Sequence, residues 1–388
     1  MFLCDLNSHV FSLINYCEQE NFKGYDPYDI LNSRLNFKLL GKWGPIIAVQ
    51  INKRNPINIR ELLGKHKEYN PKGIGLLLKA YCLLYNKTNE TKYLDKAHYL
   101  FNWLSDNYSK GYSGKCWGYN FDWASPGSYL KAYTPSVVVT SFVIDGIFEY
   151  YKIKESKEAS DIIKSSACYI INDIPITHFN EGISFSYTHL SKGCCYNASL
   201  LAAEVLAKKD FINNTSEYTS LVNEAIDYVI SRQLPDGRWN YSFNTETGKE
   251  RTQIDFHQGF ILVSLDQLNR LMGSARRDIT ESVKKGLLFY RNNQFLETGR
   301  ALWRFPFKWP VDIHNQSQGI ITFSRLKKYG NDYLSFSRKI ANWTVMNMHS
   351  DKGYFYYRKN PFFTNKISYM RWSQAWMMLA LAELISNE

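Results

Sequence analysis

The stretch DFHQGFILVSLDQLNRL (residues 255–271) is followed 57 residues later by a second stretch of the same kind, DIHNQSQGIITFSRLKK (residues 312–328). Four more occur along the chain: PKGIGLLLKAYCLLYN from Pro71, TPSVVVTSFVIDGIFEYYK from Thr134, CYNASLLAAEVLAK from Cys195 and YMRWSQAWMMLALAEL from Tyr369. The starts of the six stretches are 57 to 63 residues apart, which indicates an internal repeat. Because each stretch is apolar nearly all round a helix, the repeat predicts six buried helices.

A second set of helices alternates with the first, and each of these carries one apolar stripe and one charged face. Their predicted starts are Asn7, Thr91, Ser156, Ser216, Ala275 and Asp332. Several of these starts are Ser, Thr or Asp, which cap helix N-termini. We therefore predict an all-α fold: a single (α/α)6 toroid, or six-hairpin barrel, over residues 1–388, with six inner and six outer helices.

The connections from outer to inner helices are long, and they share a glycine followed by aromatic residues. They contain KGYDPY from Lys23, WGYNFDW from Trp117, EGISFSY from Glu181, PDGRWNYSF from Pro235, TGRALWRF from Thr298 and DKGYFYY from Asp351. This pattern predicts short β-hairpins on the face of the toroid where the inner helices begin. The first connection, residues 24–70, is the longest, and we expect it to contain short helices that cover a substrate.

The composition of the chain limits the classes of partner and the location that can be expected for the protein. The net charge is +11 and the aromatic share is 16%, which favour an acidic poly- or oligosaccharide as partner, since aromatic rings suit sugar rings. No nucleic-acid-binding motif and no transmembrane segment of about eighteen apolar residues occurs, so neither nucleic acid nor a membrane span is predicted. The first thirty residues lack the features of a signal peptide, and the 7 cysteines form no regular framework, which predicts a cytoplasmic protein.

Polar and aromatic residues at the inner-helix starts and in the long loops are the candidate site, because the toroid brings them to one cleft. Six of them are candidate catalytic residues: Asp122, Asp255, His257, His314, Tyr119 and Arg371. The candidate substrate-binding residues are Tyr25, Asp26, Tyr28, Trp117, Trp123, Tyr196, Asn197, Arg238, Trp239, Gln258, Trp303, Arg304, Asp312, Asn315, Gln318, Trp372 and Gln374. For the aspartates and histidines at helix starts, capping or structural hydrogen bonding is the alternative.

Two reactions fit this set. Glycoside hydrolysis needs two carboxylates, and Asp122 with Asp255 is the preferred pair. Uronate lyases and C5-epimerases instead need a Tyr or His base with Arg to neutralise the substrate carboxylate, and His257, His314, Tyr119 and Arg371 suit that role. Zinc ligation is disfavoured, since no C-x-x-C or H-x-x-x-H spacing occurs, and no motif indicates a cofactor.

The motifs together resemble one known family. FKGYDPYDILNS, CWGYNFDWASPG, YTPSVVVTSFVIDG, GCCYNASLLAAE, DFHQGFIL, DIHNQSQGIITFSRL and MRWSQAWMM are similar to those of the VpsJ-type proteins of bacterial exopolysaccharide and surface-polysaccharide clusters. The resemblance covers nearly the whole chain and implies a six-hairpin toroid in polysaccharide biosynthesis, with other proteins of that process as candidate partners. It implies no particular reaction, so a non-catalytic glycan-binding protein is a further alternative.

Overall fold

The computed structural model describes residues 6–125, 128–191, 193–273 and 275–388. Within these ranges, the long helices form two alternating sets. The inner set is α3 (Pro71–Thr88), α5 (Val137–Lys154), α7 (Tyr196–Asn213), α9 (His257–Leu271), α11 (Ile313–Arg325) and α13 (Trp376–Asn387). The outer set is α1 (Leu6–Gln19), α4 (Thr91–Asp106), α6 (Lys157–Asp173), α8 (Thr219–Ser231), α10 (Arg277–Gln294) and α12 (Tyr333–Met348). A short extra helix, α2 (Trp43–Arg54), lies in the first long connection.

The inner helices form a closed ring. Each one packs against the next in chain order, and α13 packs against α3, which closes the circle. Each outer helix packs against an inner helix, and α1 covers α13. Nearly every residue of α7 is buried, whereas α10 buries one stripe and exposes its charged face. The predicted (α/α)6 toroid is confirmed.

Short strands occupy the long connections on one face. They are β1 (Trp123–Ser125), β2 (Ser128–Leu130), β3 (Ile176–Phe179), β4 (Gly182–Phe185), β5 (Cys194–Cys195), β6 (Ser242–Asn244), β7 (Lys249–Arg251), β8 (Val311–Asp312), β9 (Arg358–Lys359) and β10 (Thr364–Asn365). All pairs are antiparallel, and the sheets are β1-β2, β3-β4, β5-β6-β7 and β8-β9-β10. The three-stranded sheets tie the loop of one repeat to the loop of the next. The predicted short hairpins are therefore present.

The recurring loop glycines have a common steric cause. Gly237 and Gly299 have φ angles of +96° and +88°, a left-handed conformation that side chains rarely adopt. A Cβ atom on Gly237 would lie 2.4 Å from the carbonyl oxygen of Lys285, and one on Gly299 would lie 2.5 Å from that of Lys339. In each case the carbonyl belongs to the next outer helix, so the glycine lets the loop lie directly against that helix.

Polar side chains at or just before the starts of the inner helices hold these loops in place. The Gln258 side chain accepts from the Trp239 backbone N–H at 2.9 Å and donates to the Trp239 carbonyl at 2.8 Å. Gln374 makes the same two bonds to the backbone of Phe355, each at 2.8 Å. These bonds satisfy buried backbone groups that would otherwise have no partner.

A buried ion network joins the inner helices at and beyond their midpoints, away from the long loops. Lys79 of α3 contacts Asp145 of α5 at 2.7 Å, and Lys208 of α7 contacts the same carboxylate at 3.0 Å. Lys208 also contacts Glu204 at 2.9 Å, and Lys79 lies 3.5 Å from Glu383 of α13. Arg325 of α11 lies 3.8 Å from the same Glu383 carboxylate, so the network links five of the six inner helices.

The first long connection contains a 3-10 turn at Asp29–Asn32, a second at Phe37–Leu40, and α2. The prediction of short helices in this segment is confirmed. One face of α2 buries Ile46 and Val49, which line the central cavity together with Gln50 and Lys53. The segment thus covers the cavity from the side of the long loops.

Candidate active site

A cavity of about 620 Å³ opens on the long-loop face, a size typical of small-molecule and oligosaccharide sites. Its lining comes from the starts of the inner helices, the long loops and α2. The predicted site residues that line it are Tyr28, Tyr119, Trp123, Asn197, Asp255, His257, Trp303, Arg304, Asp312, His314, Asn315, Arg371 and Trp372. Five of the six candidate catalytic residues are therefore brought together.

Asp122, the sixth, does not line the cavity. Its carboxylate accepts hydrogen bonds from the Tyr129 hydroxyl and from the Ala132 backbone N–H, and the Asn32 side chain lies at 3.4 Å. These bonds hold together the β1–β2 hairpin and the first long loop. The position of Asp122 in the loop could not show that its carboxylate is bonded to loop groups and does not line the cavity. Of the preferred hydrolytic pair, Asp255 lines the cavity and Asp122 does not.

Two of the tryptophans predicted to bind substrate are core residues. Trp117 and Trp239 are fully buried, and their indole N–H groups donate to the carbonyls of Leu104 and Val229 at 3.3 and 2.8 Å. They seal the loops onto the barrel, since an indole buries a large apolar area once its N–H has a partner. Trp303 and Trp372 do line the cavity.

Six other predicted residues also lie outside the cavity. Gln258 and Gln374 hold loop backbone as described above, and the Gln318 amide donates to the Thr322 hydroxyl at 3.1 Å. The buried Tyr196 donates its hydroxyl to Glu250 at 2.6 Å. The remaining two are Arg238, beside the Phe289 and Phe305 rings, and Tyr25, bonded to Glu61.

Asp26 acts behind the cavity wall. Its carboxylate accepts two hydrogen bonds from the Arg371 guanidinium, at 2.6 and 2.9 Å, and both side chains are buried. Such a bidentate pair fixes the plane of the guanidinium. Arg371 lies on a π-helical turn, Met370–Ala375, that precedes α13 and carries Arg371 and Trp372 to the cavity. Asp26 is therefore a positioning residue for Arg371.

Asp255 and His257 form a hydrogen-bonded pair at the start of α9. His257 Nδ1 lies 2.5 Å from Asp255 Oδ1, and the His257 backbone N–H donates to the same oxygen at 3.2 Å. The second oxygen accepts from Gln253 at 2.9 Å. Burial alone would raise the pKa of Asp255, but His257 outweighs it and holds that pKa below its ordinary value. A carboxylate on Nδ1 leaves Nε2 as the reactive nitrogen of the imidazole.

His314 lies in an aromatic environment. Its ring stacks on Phe256 with centroids 4.1 Å apart and contacts the rings of Trp372 and Trp376 at 4.7 and 4.6 Å. Neither ring nitrogen has a hydrogen-bond partner among the described residues. Burial, together with Lys72, Arg371 and His257, lowers the pKa of His314 well below its ordinary value. The imidazole is therefore neutral at neutral pH.

Lys72 is a cavity residue that the sequence analysis missed. Its ammonium lies 4.2 Å from the centre of the Phe142 ring and 5.3 Å from that of Trp376. Burial, and next the charge of Arg371, lower the pKa of Lys72 well below its ordinary value. Lys72 could have been predicted, because it is the second residue of the inner helix α3. Other candidate site residues were chosen because they lie at the start of an inner helix.

A group of cations with little compensating charge lines one side of the cavity. Lys53 of α2 lies near Arg358 and Arg304, and burial followed by Arg358 lowers the pKa of Lys53 to about 8. Arg358 donates to Asp312 at 2.7 Å, and Asp312 also accepts from the Trp372 indole at 2.8 Å. Asp312 also accepts a hydrogen bond from the His314 backbone N–H and so caps α11, the structural role that was the alternative for aspartates at helix starts. Lys53 and Arg358 were missed from sequence.

The cavity as a whole is strongly basic. Its lining contains seven Lys and Arg side chains, Lys53, Lys72, Lys131, Arg251, Arg304, Arg358 and Arg371. Among the described residues, two carboxylates line it, Asp255 and Asp312, and both already have cationic or N–H partners. Such a surplus in a concave site attracts and holds anionic ligands.

Comparison with known proteins places the fold among enzymes that act on carbohydrates. A cellobiose 2-epimerase from Bacillus thermoamylovorans superposes with a TM-score of 0.63 at 15% identity, covering 84% of this chain and 90% of that chain. A possible GH105 member from Salmonella enterica gives 0.67 at 11% identity, covering 100% and 95%. A GH76 α-mannanase from Bacteroides thetaiotaomicron gives 0.62 at 13% identity, covering 82% and 86%.

These similarities show the fold: a toroid of the kind also found in glycosidases and sugar epimerases. No family model and no curated protein matches the chain, so the VpsJ-type resemblance stays a prediction. None of the helices in the described ranges is both long and apolar enough to cross a bilayer.

Proposed function

We propose that the protein is a uronate-directed epimerase that acts on an acidic saccharide of bacterial surface-polysaccharide metabolism. The observation that carries this proposal is the Asp255–His257 pair, which lies in a cavity with seven cationic and two acidic side chains. An imidazole base and a surplus of cations are what proton abstraction beside a carboxylate requires.

In the proposed reaction, His257 Nε2 removes the proton from C5 of a uronate residue. Asp255 on Nδ1 stabilises the imidazolium that forms, as a carboxylate does for a histidine base in other enzymes. Negative charge then develops on the substrate carboxylate. The cations Lys53, Arg304 and Arg358 line the cavity and are placed to bind that carboxylate and stabilise the developing charge.

Epimerisation also needs a group that returns a proton to the other side of the carbon. Tyr119 is one candidate, because burial raises its pKa above the ordinary value and keeps the hydroxyl protonated. Its ring lies 4.9 Å from the Arg371 guanidinium carbon, so Arg371 would stabilise a transient phenolate. His314 suits this step less well, because its lowered pKa leaves it without an imidazolium proton to donate at neutral pH.

Hydrolysis, the reaction preferred from sequence, has less support. It needs one carboxyl group that stays protonated near neutral pH, as well as an ionised one. Asp122 does not line the cavity, and the pKa of Asp255 is lowered rather than raised. The solved structures of this fold include a possible GH105 member and a GH76 α-mannanase, but they also include sugar epimerases and a D-mannose isomerase.

The deciding experiment is incubation in D₂O with a glucuronate-containing oligosaccharide prepared from the host organism's surface polysaccharide. We expect NMR to detect deuterium at C5 and a second C5 configuration, without chain cleavage. His257→Asn should abolish the exchange, while His178→Asn, a change at an exposed histidine of β3, should leave it intact.

Other outcomes identify other activities. New reducing ends without deuterium at C5 mean hydrolysis, and ends with the ultraviolet absorbance of unsaturated uronates mean a lyase. Binding of the oligosaccharide with none of these products means a non-catalytic glycan-binding protein. Each of these three results contradicts the proposed epimerase. The VpsJ-type resemblance supports a place in polysaccharide biosynthesis, with an acidic glycan as the partner, and the cytoplasm is the location that we propose.

A further inference from the structure

The first long connection carries an unusual number of exposed apolar side chains. We call residues 30–62 the lid segment, because α2 within it covers the cavity. Of the nineteen exposed large hydrophobic side chains among the described residues, eight lie in this segment. They are Leu35, Leu39, Leu40, Trp43, Ile47, Ile51, Ile57 and Leu62. A concentration of exposed apolar side chains in one segment is typical of an interaction site.

The α2 helix is apolar on both sides. Trp43, Ile47 and Ile51 are spaced by four residues, so they form one stripe, and they are 59%, 52% and 63% exposed. Ile46 and Val49, on the opposite side, are buried at the cavity wall. An ordinary surface helix presents charged residues where α2 presents this stripe. The stripe therefore requires its own explanation.

The exposed charges of the lid segment are mostly positive. Arg34, Lys38, Lys42 and Arg54 are exposed there, against one exposed carboxylate, Glu61. Trp, Leu and Ile side chains mixed with Lys and Arg are typical of helices that lie in the interface of an anionic bilayer. Each basic residue near such a surface adds to the attraction.

A neighbouring loop extends the same surface. Phe362 and Phe363 lie at the tip of the β9–β10 hairpin and are 97% and 50% exposed. The Asn365 side chain donates to the Asn55 carbonyl at 3.0 Å, which holds this hairpin beside the end of α2. The apolar surface therefore spans two separate loops on the same face as the cavity mouth.

We propose that the lid segment docks on an anionic membrane surface and holds the cavity mouth against the lipid headgroups. A second copy of the chain fits less well, because a two-fold contact through this surface would bring its exposed cations close to their own copies. The helix has 12 residues, which suits a position in the interface. Docking of this kind would give the cavity access to saccharides anchored in the membrane.

Vesicle co-sedimentation of the full chain tests the proposal. Vesicles of phosphatidylcholine with an equal part of phosphatidylglycerol should pellet the protein at low salt, and phosphatidylcholine alone should pellet much less. The triple variant Trp43→Ser, Ile47→Ser, Ile51→Ser should bind the anionic vesicles at least about tenfold more weakly, since its apolar contact is removed. The charge variant Arg34→Gln, Lys42→Gln, Arg54→Gln should lose the preference for anionic lipid.

The matched control removes three exposed apolar side chains elsewhere, by Phe211→Ser, Leu288→Ser and Met346→Ser, which are 53%, 60% and 64% exposed. It should bind vesicles like the parent protein. The proposal is wrong if the parent does not bind anionic vesicles, or if the control variant weakens binding as much as the lid variant. It is also wrong if light scattering detects a dimer that only the lid variant dissociates, which would assign the surface to a second copy.

Discussion

At the scale of single residues, the proposed reaction depends on the hydrogen bond between Asp255 and His257. Asp255→Asn keeps the volume of the side chain but removes the charge that stabilises an imidazolium. We expect kcat to fall by about a hundredfold or more, because the general base loses its partner. KM should change much less, since the cations that bind the substrate remain. Steady-state kinetics of deuterium incorporation would measure both parameters.

Asp122→Asn provides the contrast with that variant. Its carboxylate contacts loop groups and does not line the cavity, so the proposed reaction should keep its rate. If Asp122→Asn instead lost as much kcat as Asp255→Asn, both carboxylates would be needed for the reaction. That result would favour hydrolysis by the Asp122–Asp255 pair. Both variants should keep the far-ultraviolet circular dichroism of the parent protein, which separates a lost reaction from a lost fold.

Lys53 predicts how substrate binding depends on pH. Burial, then the nearby Arg358, lowers the pKa of Lys53 to about 8. Below that pH the folded protein carries the ammonium charge, and above it the charge is lost. KM for an acidic saccharide should therefore rise as the pH increases through about 8. Lys53→Arg should remove this rise, because a guanidinium stays charged. An equal rise in Lys53→Arg would contradict the assignment.

Several site residues could be predicted because many side chains at the inner-helix starts of a toroid face the central cleft. Asp255, His257, His314 and Arg371 were found in this way. Trp117 and Trp239 were misjudged, since the sequence does not reveal which aromatic residues of a loop turn inward. Lys53 was missed for a related reason: the position of α2 over the cavity depends on packing between segments far apart in the chain.

At the scale of secondary-structure elements, the loop glycines permit a direct test. In Gly299→Ala, the new Cβ would lie 2.5 Å from the Lys339 carbonyl oxygen, in a left-handed backbone conformation. We expect the free energy of unfolding to fall by about 3 kcal/mol or more, because backbone strain and a steric clash add together. Chemical denaturation would measure this change.

Gly111→Ala is the matched control for that change. Gly111 has nearly the same φ angle, +89°, but a Cβ there would meet nothing within 4 Å. Its substitution should cost only the conformational strain, about 1 kcal/mol. The difference between the two variants isolates the contact between loop and outer helix. Equal losses would mean that this contact has no special role.

The order of the helices was predictable from periodicity, and the reason is physical. An inner helix is surrounded on all sides, so its sequence is apolar all round, while an outer helix has one wet face. The starts of α3 and α9 lie within two residues of their predicted positions, Pro71 and Asp255. The start of α13 was harder to place, because a π-helical turn from Met370 precedes it and no periodicity signals such a turn.

At the scale of the whole molecule, closure of the ring depends on contacts between helices distant in sequence, and Asp145 is where three of them meet. Its carboxylate contacts Lys79 of α3 and Lys208 of α7, and Lys79 also lies near Glu383 of α13. Burial alone would raise the pKa of Asp145, but Lys208 and Lys79 outweigh it and hold that pKa well below its ordinary value. The network is therefore built around an ionised Asp145.

Removing this charge should destabilise the toroid. Asp145→Asn leaves two buried ammonium groups with fewer partners, and breaking a buried pair in this way costs about 3 to 5 kcal/mol. The lowered pKa also fixes the sign of the pH dependence. Asp145 contributes its stability above the ordinary aspartate pKa and loses it as the pH falls through the lower pKa of the folded state.

The parent protein should therefore lose stability faster than Asp145→Asn as the pH decreases below about 4. Urea denaturation at a series of pH values would measure both free energies of unfolding. The difference between the two proteins should be largest near neutral pH and should shrink in acid. A difference that stays constant across this range would mean that Asp145 stabilises the ring through packing and hydrogen bonding, and not through the charge that joins α3, α5 and α7.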